Sequence, residues 1–181
     1  RRALRKAEKN GITIEKSTDP ARMKEFYDIQ LQTAGRHHFI AFSEDFLTKQ
    51  FAAFAEDNSA VLYTARYNGE VLAQNFMIFY GNEASYHYGV STELGTKLSG
   101  APLLHMQAMR DARERGIKRY NFWGIVDEDN TKHRFYGVSV FKRGLSGVVC
   151  TVRLEVSRSS ESAPVGYAQL AHALGVDLGD R

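Results

Sequence analysis

The sequence predicts a mixed α/β (α+β) fold, in which a mixed central sheet is flanked by helices. Three segments of period-two alternation, separated by tight turns, predict an antiparallel meander over residues 60–91. Helix-like apolar patterns stand before and after the meander, so the sheet has helices to cover its faces. A further strand at 117–123 follows a helix and should run parallel to its neighbour.

The elements before the meander follow from capping signals. Residues 2–10 are basic and end in Asn10-Gly11, which predicts a helix with a good C-terminal cap. Residues 12–16 alternate like a strand. Asp19-Pro20 predicts the start of one helix and Ser43 the start of the next, because their side-chain oxygens can accept a backbone N–H.

Turn residues divide the rest of the chain. Asn68-Gly69 and Gly81-Asn82 separate the meander strands. The elements predicted from there are strands at 60–67, 70–80 and 83–91, a loop at 92–100, a helix at 101–115, a strand at 117–123, a short helix at 131–141 and a last strand at 148–156. From residue 157 the chain is rich in serine, which predicts a polar tail.

Composition fits one domain over residues 1–156, led by the basic helix at 1–10, with residues 157–181 as a tail. Of 181 residues 43% are hydrophobic, which suffices for a core. The net charge of +3 is compatible with a polyanionic partner without requiring one. The single cysteine, Cys150, excludes an internal disulfide. No apolar run approaches the ~20 residues of a membrane span and no signal peptide is visible, so we expect a cytoplasmic protein without stable membrane insertion.

Lys142 is the first candidate for chemistry. It lies between Phe141 and Gly144, in a segment that predicts a flexible backbone. A cation held rigidly at such a place can bind a phosphate or stabilise negative charge on a reacting oxygen. The alternative is a solvated lysine in a turn, since most lysines are exposed.

A metal site is not expected. His37 and His38 are adjacent in sequence and point apart, and no cysteine or carboxylate stands at ligand spacing from them. Cys150 lies in a predicted strand, where a small buried side chain is the simpler interpretation than a nucleophile.

The chain resembles one known family in an ordered set of segments. These segments are residues 5–12, 26–27, 33–36, 39, 69–73, 86–91, 120–124 and 137–144. They are similar to the second GNAT-like domain of the Fem family, the aminoacyl-tRNA-dependent transferases that build peptidoglycan interpeptide bridges. The resemblance implies a GNAT acyltransferase fold, and we expect the chain to be a monomeric part of a longer protein.

The resemblance also implies a reaction, in which an amino acid moves from tRNA to an amine of a peptidoglycan precursor. Its partners would be aminoacyl-tRNA, as co-substrate in place of a cofactor, and a nucleotide- or lipid-linked muropeptide, in the cytoplasm or at the inner face of the membrane. The catalytic residues implied are Lys142, as oxyanion stabiliser, and Tyr88. The implied substrate-binding residues are Arg36, Tyr86, Trp123, Phe141 and Gly144.

Each of these residues has a plainer interpretation. Tyr86 and Tyr88 are expected on one face of a strand, where they could simply pack across strands. Arg36 at a helix end could complement the helix dipole, and Trp123 could belong to the core. Two other functions stay open: a CoA-dependent N-acetyltransferase of the GNAT class, and a non-catalytic module that binds a precursor or tRNA. The first would need a glycine-rich turn before the 101–115 helix, where Pro102 removes one N–H donor.

Overall fold

A five-stranded sheet forms the centre of the protein. The computed structural model describes residues 11–37, 40–145 and 147, except the side chains of Arg36 and His37. Its strands are β1 Thr13–Ser17, β2 Ala60–Tyr67, β3 Glu70–Tyr80, β4 Glu83–Ser91 and β5 Arg119–Asn121. In the same residues the α-helices are α1 Met23–His37, α2 Glu44–Ala55, α3 Glu93–Leu98, α4 Gly100–Glu114 and α5 Tyr136–Gly144, and a 3₁₀ turn spans Pro20–Arg22.

The strands lie in chain order, β1-β2-β3-β4-β5. The first four are antiparallel, and β5 runs parallel to β4. The parallel pair is possible because α3 and α4 carry the chain back across the sheet between β4 and β5. The predicted mixed sheet is therefore confirmed, and the bounds of the three meander strands are those predicted from the sequence.

The turns and caps have the chemistry that the sequence indicates. Asn68 and Gly69 both have positive φ, 51° and 84°, as a two-residue hairpin turn of the primed type requires. The Asp19 side chain accepts the backbone N–H of Ala21 at 2.9 Å, next to the predicted Pro20. The Ser43 hydroxyl accepts the N–H of Phe46 at 3.2 Å and begins α2.

Helices cover both faces of the sheet. On one face α4 packs its buried Leu104 and Ala108 against β2 and β3, including Tyr63 and Met77. On the other face the buried residues are Met23, Phe26 and Ile29 of α1, Leu47 and Phe51 of α2, and their strand partners. The middle strands β2 and β3 are thus buried on both sides, which places polar side chains such as Gln74 and Asn75 in the interior.

The prediction of a loop at 92–100 is wrong, because α3 and the first residue of α4 lie in this segment. Thr92 caps α3 by accepting the N–H of Gly95 at 3.0 Å. Gly95 is needed for packing, since a Cβ there would lie 1.7 Å from the carbonyl oxygen of Leu72. The glycines that indicate a loop in the sequence instead let the helix lie against β3.

Two further bounds differ from the prediction. The helix expected at 131–141 is α5, Tyr136–Gly144, so Lys142 lies in a last helical turn and not beside a flexible loop. A helix favours cations there because of its dipole, which explains why it continues through Lys142 and Arg143. The strand expected at 117–123 is shorter, because the N–H of Ile117 still bonds to Ala112 O of α4 and Trp123 turns away with φ 61°.

Several predictions concern residues outside this description: the helix at 2–10, His38, Cys150, the strand at 148–156 and the tail at 157–181. The described residues belong to one compact unit that ends at residue 147. The domain boundary at 156 stays a prediction. Among the helices that the structure describes, none has the length and apolar character needed to cross a membrane.

Candidate functional site

A cleft opens where the parallel strands β4 and β5 separate. Their pairing ends at Ser85 and Asn121, whereas β4 continues to Ser91. The space beyond has a volume of about 400 Å³, and we call it the strand cleft. Its lining consists of Tyr86, His87, Tyr88 and Gly89 from β4, Phe122 and Trp123 after β5, and Val138 and Lys142 from α5.

A β-bulge at His87 shapes the β4 wall of the cleft. Met77 of β3 pairs with Tyr86 and the preceding Phe76 pairs with Tyr88, so His87 is an extra residue. A bulge breaks the alternation of side chains between the two faces of a strand. Tyr86 therefore packs with the α4 side of the sheet and Tyr88 with the α1 and α2 side. The prediction that the two tyrosines share a face is wrong for this reason.

Tyr86 is held deep in the cleft wall. Its ring meets the His105 ring edge to face, with centroids 4.4 Å apart. Its hydroxyl lies against Gly89, where an added Cβ would be only 1.8 Å from the hydroxyl oxygen. Burial raises the pKa of Tyr86 to about 12, so the phenol stays protonated at neutral pH.

His105 supports this wall from α4. It is fully buried, and its Nδ1 is 2.7 Å from the Tyr120 hydroxyl, whereas its Nε2 has no hydrogen-bond partner among the described residues. Burial, with a smaller contribution from the charge of Lys142, lowers the pKa of His105 to about 3. His105 is thus neutral at neutral pH, and Lys142 lies in the lining of the cleft that this wall borders.

His87 and Tyr88 form the opposite part of the β4 wall. Their rings contact each other with centroids 4.1 Å apart, and Tyr88 also contacts Phe42. Burial lowers the pKa of His87 to about 4, and its Nε2 is buried without a partner in the part of the chain described. Burial raises the pKa of Tyr88, against the effect of a hydrogen bond with Gln50. Both side chains are therefore uncharged at neutral pH.

Lys142 supplies the one charged side chain in this described lining. Its Nζ donates to the carbonyl oxygen of Gly124 at 2.8 Å. Burial lowers its pKa from the usual lysine value. An ammonium has three protons, so two remain after the bond to Gly124 for an oxygen that enters the cleft.

The neighbouring bonds of α5 hold the segment after β5 in place. The Ser139 hydroxyl accepts the N–H of Val126 at 3.0 Å, and Arg143 donates to Val126 O. Trp123, which is 57% exposed, has φ 61° in the left-handed region. Such a conformation costs on the order of 1–3 kcal/mol for a residue other than glycine and persists only where the surroundings enforce it.

The structure brings four of the sequence-predicted site residues together: Tyr86, Tyr88, Trp123 and Lys142. Phe141 lies behind the wall, against His105 at 5.5 Å between ring centroids, and Gly144 ends α5 outside the lining. Phe122 is a half-buried part of the cleft wall. Arg36 is near the end of α1, and its side chain is not described. Sequence reasoning missed His87 and His105, because the bulge and the face of α4 become visible only in three dimensions.

The family follows from a sequence comparison. The family described as acetyltransferase (GNAT) domain matches residues 1–143. The chain belongs to this GNAT domain family. The GNAT-like fold expected from the sequence is thereby confirmed.

Curated relatives match shorter segments. The aminoacyltransferase FemB of Staphylococcus epidermidis is 30% identical over 81 residues, which cover 44% of this chain and 19% of FemB. The UDP-N-acetylenolpyruvoylglucosamine reductase of Leifsonia xyli subsp. xyli (strain CTCB07) is 48% identical over 54 residues, 25% of this chain and 14% of that protein. The chain thus spans less than a fifth of each of these two relatives.

Solved structures agree in fold. The crystal structure of FemX superposes with a TM-score of 0.74 at 18% identity, covering 80% of this chain and 52% of FemX. A possible acetyltransferase from Clostridium difficile 630 superposes with a TM-score of 0.62 at 13% identity, covering 83% of this chain and 99% of that one. With the FemB match, the resemblance of this GNAT domain to the Fem family is confirmed.

Proposed function

We propose that this GNAT domain transfers an amino acid from aminoacyl-tRNA to an amine of a peptidoglycan precursor stem peptide. The observation that carries the proposal is the Lys142 ammonium in the wall of the strand cleft, fixed by Gly124 O and with two protons to donate. The similarity to FemB supports the aminoacyl group as cargo. The family description, acetyltransferase (GNAT) domain, supports an acyl transfer to an amine.

For this reaction the protein needs chiefly to place the two reactants and to stabilise the negative charge of the oxyanion. The amine nitrogen attacks the ester carbonyl, the C–N bond forms, the C–O bond to the ribose breaks, and the amine proton ends on the ribose oxygen. Correct placement of two reactants can contribute about 7–11 kcal/mol. A preorganised donor to the oxyanion contributes about 3–4 kcal/mol.

Lys142 suits the second role. Because burial lowers its pKa, its ammonium is a stronger acid and a stronger donor than a solvated one. The role requires the protonated form, so activity falls as pH rises through the pKa of Lys142. The structural alternative, a lysine that only anchors Gly124, would leave the transfer rate unchanged when Lys142 is removed.

The remaining cleft residues would position the substrates. The Tyr88 hydroxyl stays protonated, so it can orient the amine or relay its proton, but it is not a phenolate base. Tyr86, Phe122 and Trp123 give aromatic surface for the apolar part of a substrate. Arg36 stays a candidate for binding phosphates or carboxylates of the precursor. The transfer reaction would take place in the cytoplasm or at the inner face of the membrane, with this domain as part of a larger protein.

A CoA-dependent N-acetyltransferase is the second candidate, favoured by the family description and by the neighbour that is a possible acetyltransferase. The segment before α4 argues against it. Thr92 and α3 fill that place, with Gly95 packed on Leu72 O, and Pro102 removes a donor from the first turn of α4.

One experiment separates these functions. Full-length protein is incubated with a mixture of charged tRNAs and a nucleotide-linked pentapeptide, and the products are weighed by mass spectrometry. A mass gain of one aminoacyl residue on the pentapeptide supports the proposal. Stoichiometric, tight binding of CoA without aminoacyl transfer would favour the acetyltransferase, and binding of precursor without any product would favour a non-catalytic module.

A further inference from the structure

Asn121 lies at the point where the strand cleft begins. It is the last residue of β5, and both ends of its side-chain amide are used. Its Nδ2 donates to Glu83 Oε1 of β4 at 2.9 Å, and its Oδ1 accepts the backbone N–H of Trp123 at 2.7 Å. The Ser85 hydroxyl donates to the same Glu83 oxygen at 2.9 Å. The amide can therefore adopt only one orientation, anchored on β4 and facing the turn.

The bond to Trp123 acts on a strained backbone. Trp123 has φ 61°, a conformation that a bulky residue adopts only when it is held there. A side-chain oxygen that accepts the N–H two residues along is a local device for holding such a turn. We call Trp123 and Gly124 the Trp123 turn. Because the turn is held by Asn121, its geometry depends on that side chain.

The Trp123 turn is hydrogen-bonded to Lys142. Its next carbonyl oxygen, Gly124 O, accepts the bond from Lys142 Nζ at 2.8 Å. Among the described residues it is the one hydrogen-bond acceptor of that ammonium. A lysine has four rotatable carbon–carbon bonds, so without this acceptor its charged end would sample many positions.

We propose that Asn121 is a positioning residue for Lys142, acting through the Trp123 turn. It fixes the carbonyl group that holds the ammonium at the wall of the cleft. Its part in transfer rests on the proposed function, whereas its coupling to Lys142 is a property of the structure alone. A residue that merely stabilised the end of β5 would change the stability of the protein without changing the state of Lys142.

The first test measures the pKa of the Lys142 side chain by NMR titration of labelled lysines in the full-length protein, with Lys142→Arg to assign the signal. Without the Gly124 acceptor the ammonium is free to leave the buried wall for solvent, so Asn121→Ala raises the pKa of Lys142 towards the usual lysine value. Asn121→Ser, whose hydroxyl can accept the Trp123 N–H, retains more of the wild-type value. The control is Asn130→Ala, an exposed asparagine outside the cleft lining, which leaves the pKa of Lys142 unchanged.

A second variant tests the strain itself. Glycine adopts positive φ without cost, so in Trp123→Gly the turn no longer needs the Asn121 bond. Adding Asn121→Ala to Trp123→Gly then shifts the pKa of Lys142 much less than Asn121→Ala does alone. The proposal is overturned if Asn121→Ala leaves the pKa of Lys142 at the wild-type value, or if the shift is the same with glycine at position 123.

The third test uses single-turnover transfer rates. Misplacing a reacting group by about 1 Å can cost as much as a hundredfold, so Asn121→Ala slows transfer by about ten- to a hundredfold. The same change made in Lys142→Ala has no further effect, because the residue through which Asn121 acts is absent. Equal slowing in both backgrounds overturns the positioning role. If Lys142→Ala itself transfers at the wild-type rate, the proposed function fails, and the NMR titrations still decide the coupling.

Discussion

Gly89→Ala tests how tightly the wall of the strand cleft is built. A Cβ at position 89 would lie 1.8 Å from the Tyr86 hydroxyl oxygen and 2.5 Å from the ring carbon that bears it. Ordinary contact needs about 3.5 Å, so the phenol must move by about 1.7 Å. The backbone of Gly89 does not have positive φ, so the effect of the methyl group is steric.

The phenol cannot move inwards, because its ring already packs edge to face on the fully buried His105. Overpacking of this kind costs about 1–3 kcal/mol. For a domain of this size each kcal/mol lowers Tm by about 2–4 °C, so we expect a decrease of about 2–12 °C in thermal unfolding. Because Tyr86 lines the cleft, precursor binding should weaken as well.

The control is the same substitution in a Tyr86→Leu background. Leucine lacks the ring that meets the new methyl group, so Gly89→Ala should lower Tm there by much less. An unchanged Tm for Gly89→Ala in the wild-type background would refute the reasoning, as would an equal decrease in both backgrounds.

Three further predictions concern charge. In His105→Gln, stability should fall less on acidification than in the wild type. The pKa of His105 in the folded wild type, about 3, lies below the usual histidine value, so the unfolded chain takes up a proton at His105 first and the wild type loses stability from about pH 6.5 downwards. By pH 4.5 this histidine lowers the free energy of unfolding of the wild type by about 2–3 kcal/mol. Equal losses in the wild type and the variant, measured by urea unfolding, would contradict the prediction. Asp111→Ala should destabilise the protein by about 1–3 kcal/mol, because Asp111 accepts the buried Tyr63 hydroxyl at 2.7 Å, and an unchanged urea midpoint would speak against this bond. The rate of transfer should fall as salt is raised from about 50 to 200 mM, because contacts between the protein and tRNA phosphates weaken with salt. A salt-independent rate would argue against a tRNA donor.

The meander was predictable because its signals are local. Alternation fixes the strands, and Asn68-Gly69 specifies a turn through the conformations that those two residues adopt readily. The bulge at His87 has no such signal, since it depends on which residue of β3 faces which residue of β4. One extra residue was enough to place Tyr86 and Tyr88 on opposite faces and to change the expected site.

Glycine has two structural roles in this chain that the sequence alone does not distinguish. At position 69 it marks a turn, but Gly95 permits close packing of a helix on Leu72 O, so α3 was missed. Residue types and the family resemblance sufficed to select Lys142 as a candidate, and it lies in the lining of the strand cleft. Its Gly124 partner could not be predicted, because the position of that carbonyl group depends on a positive φ at Trp123, which side chains of that size rarely adopt.

The most direct measurement is the single-turnover rate of aminoacyl transfer in Lys142→Ala of the full-length protein. Loss of one oxyanion donor predicts a rate at least about a hundredfold lower, with an unchanged thermal unfolding curve. Lys132→Ala, an exposed lysine outside the cleft lining, is the matched control and should transfer at the wild-type rate. Transfer by Lys142→Ala at the wild-type rate would contradict the account.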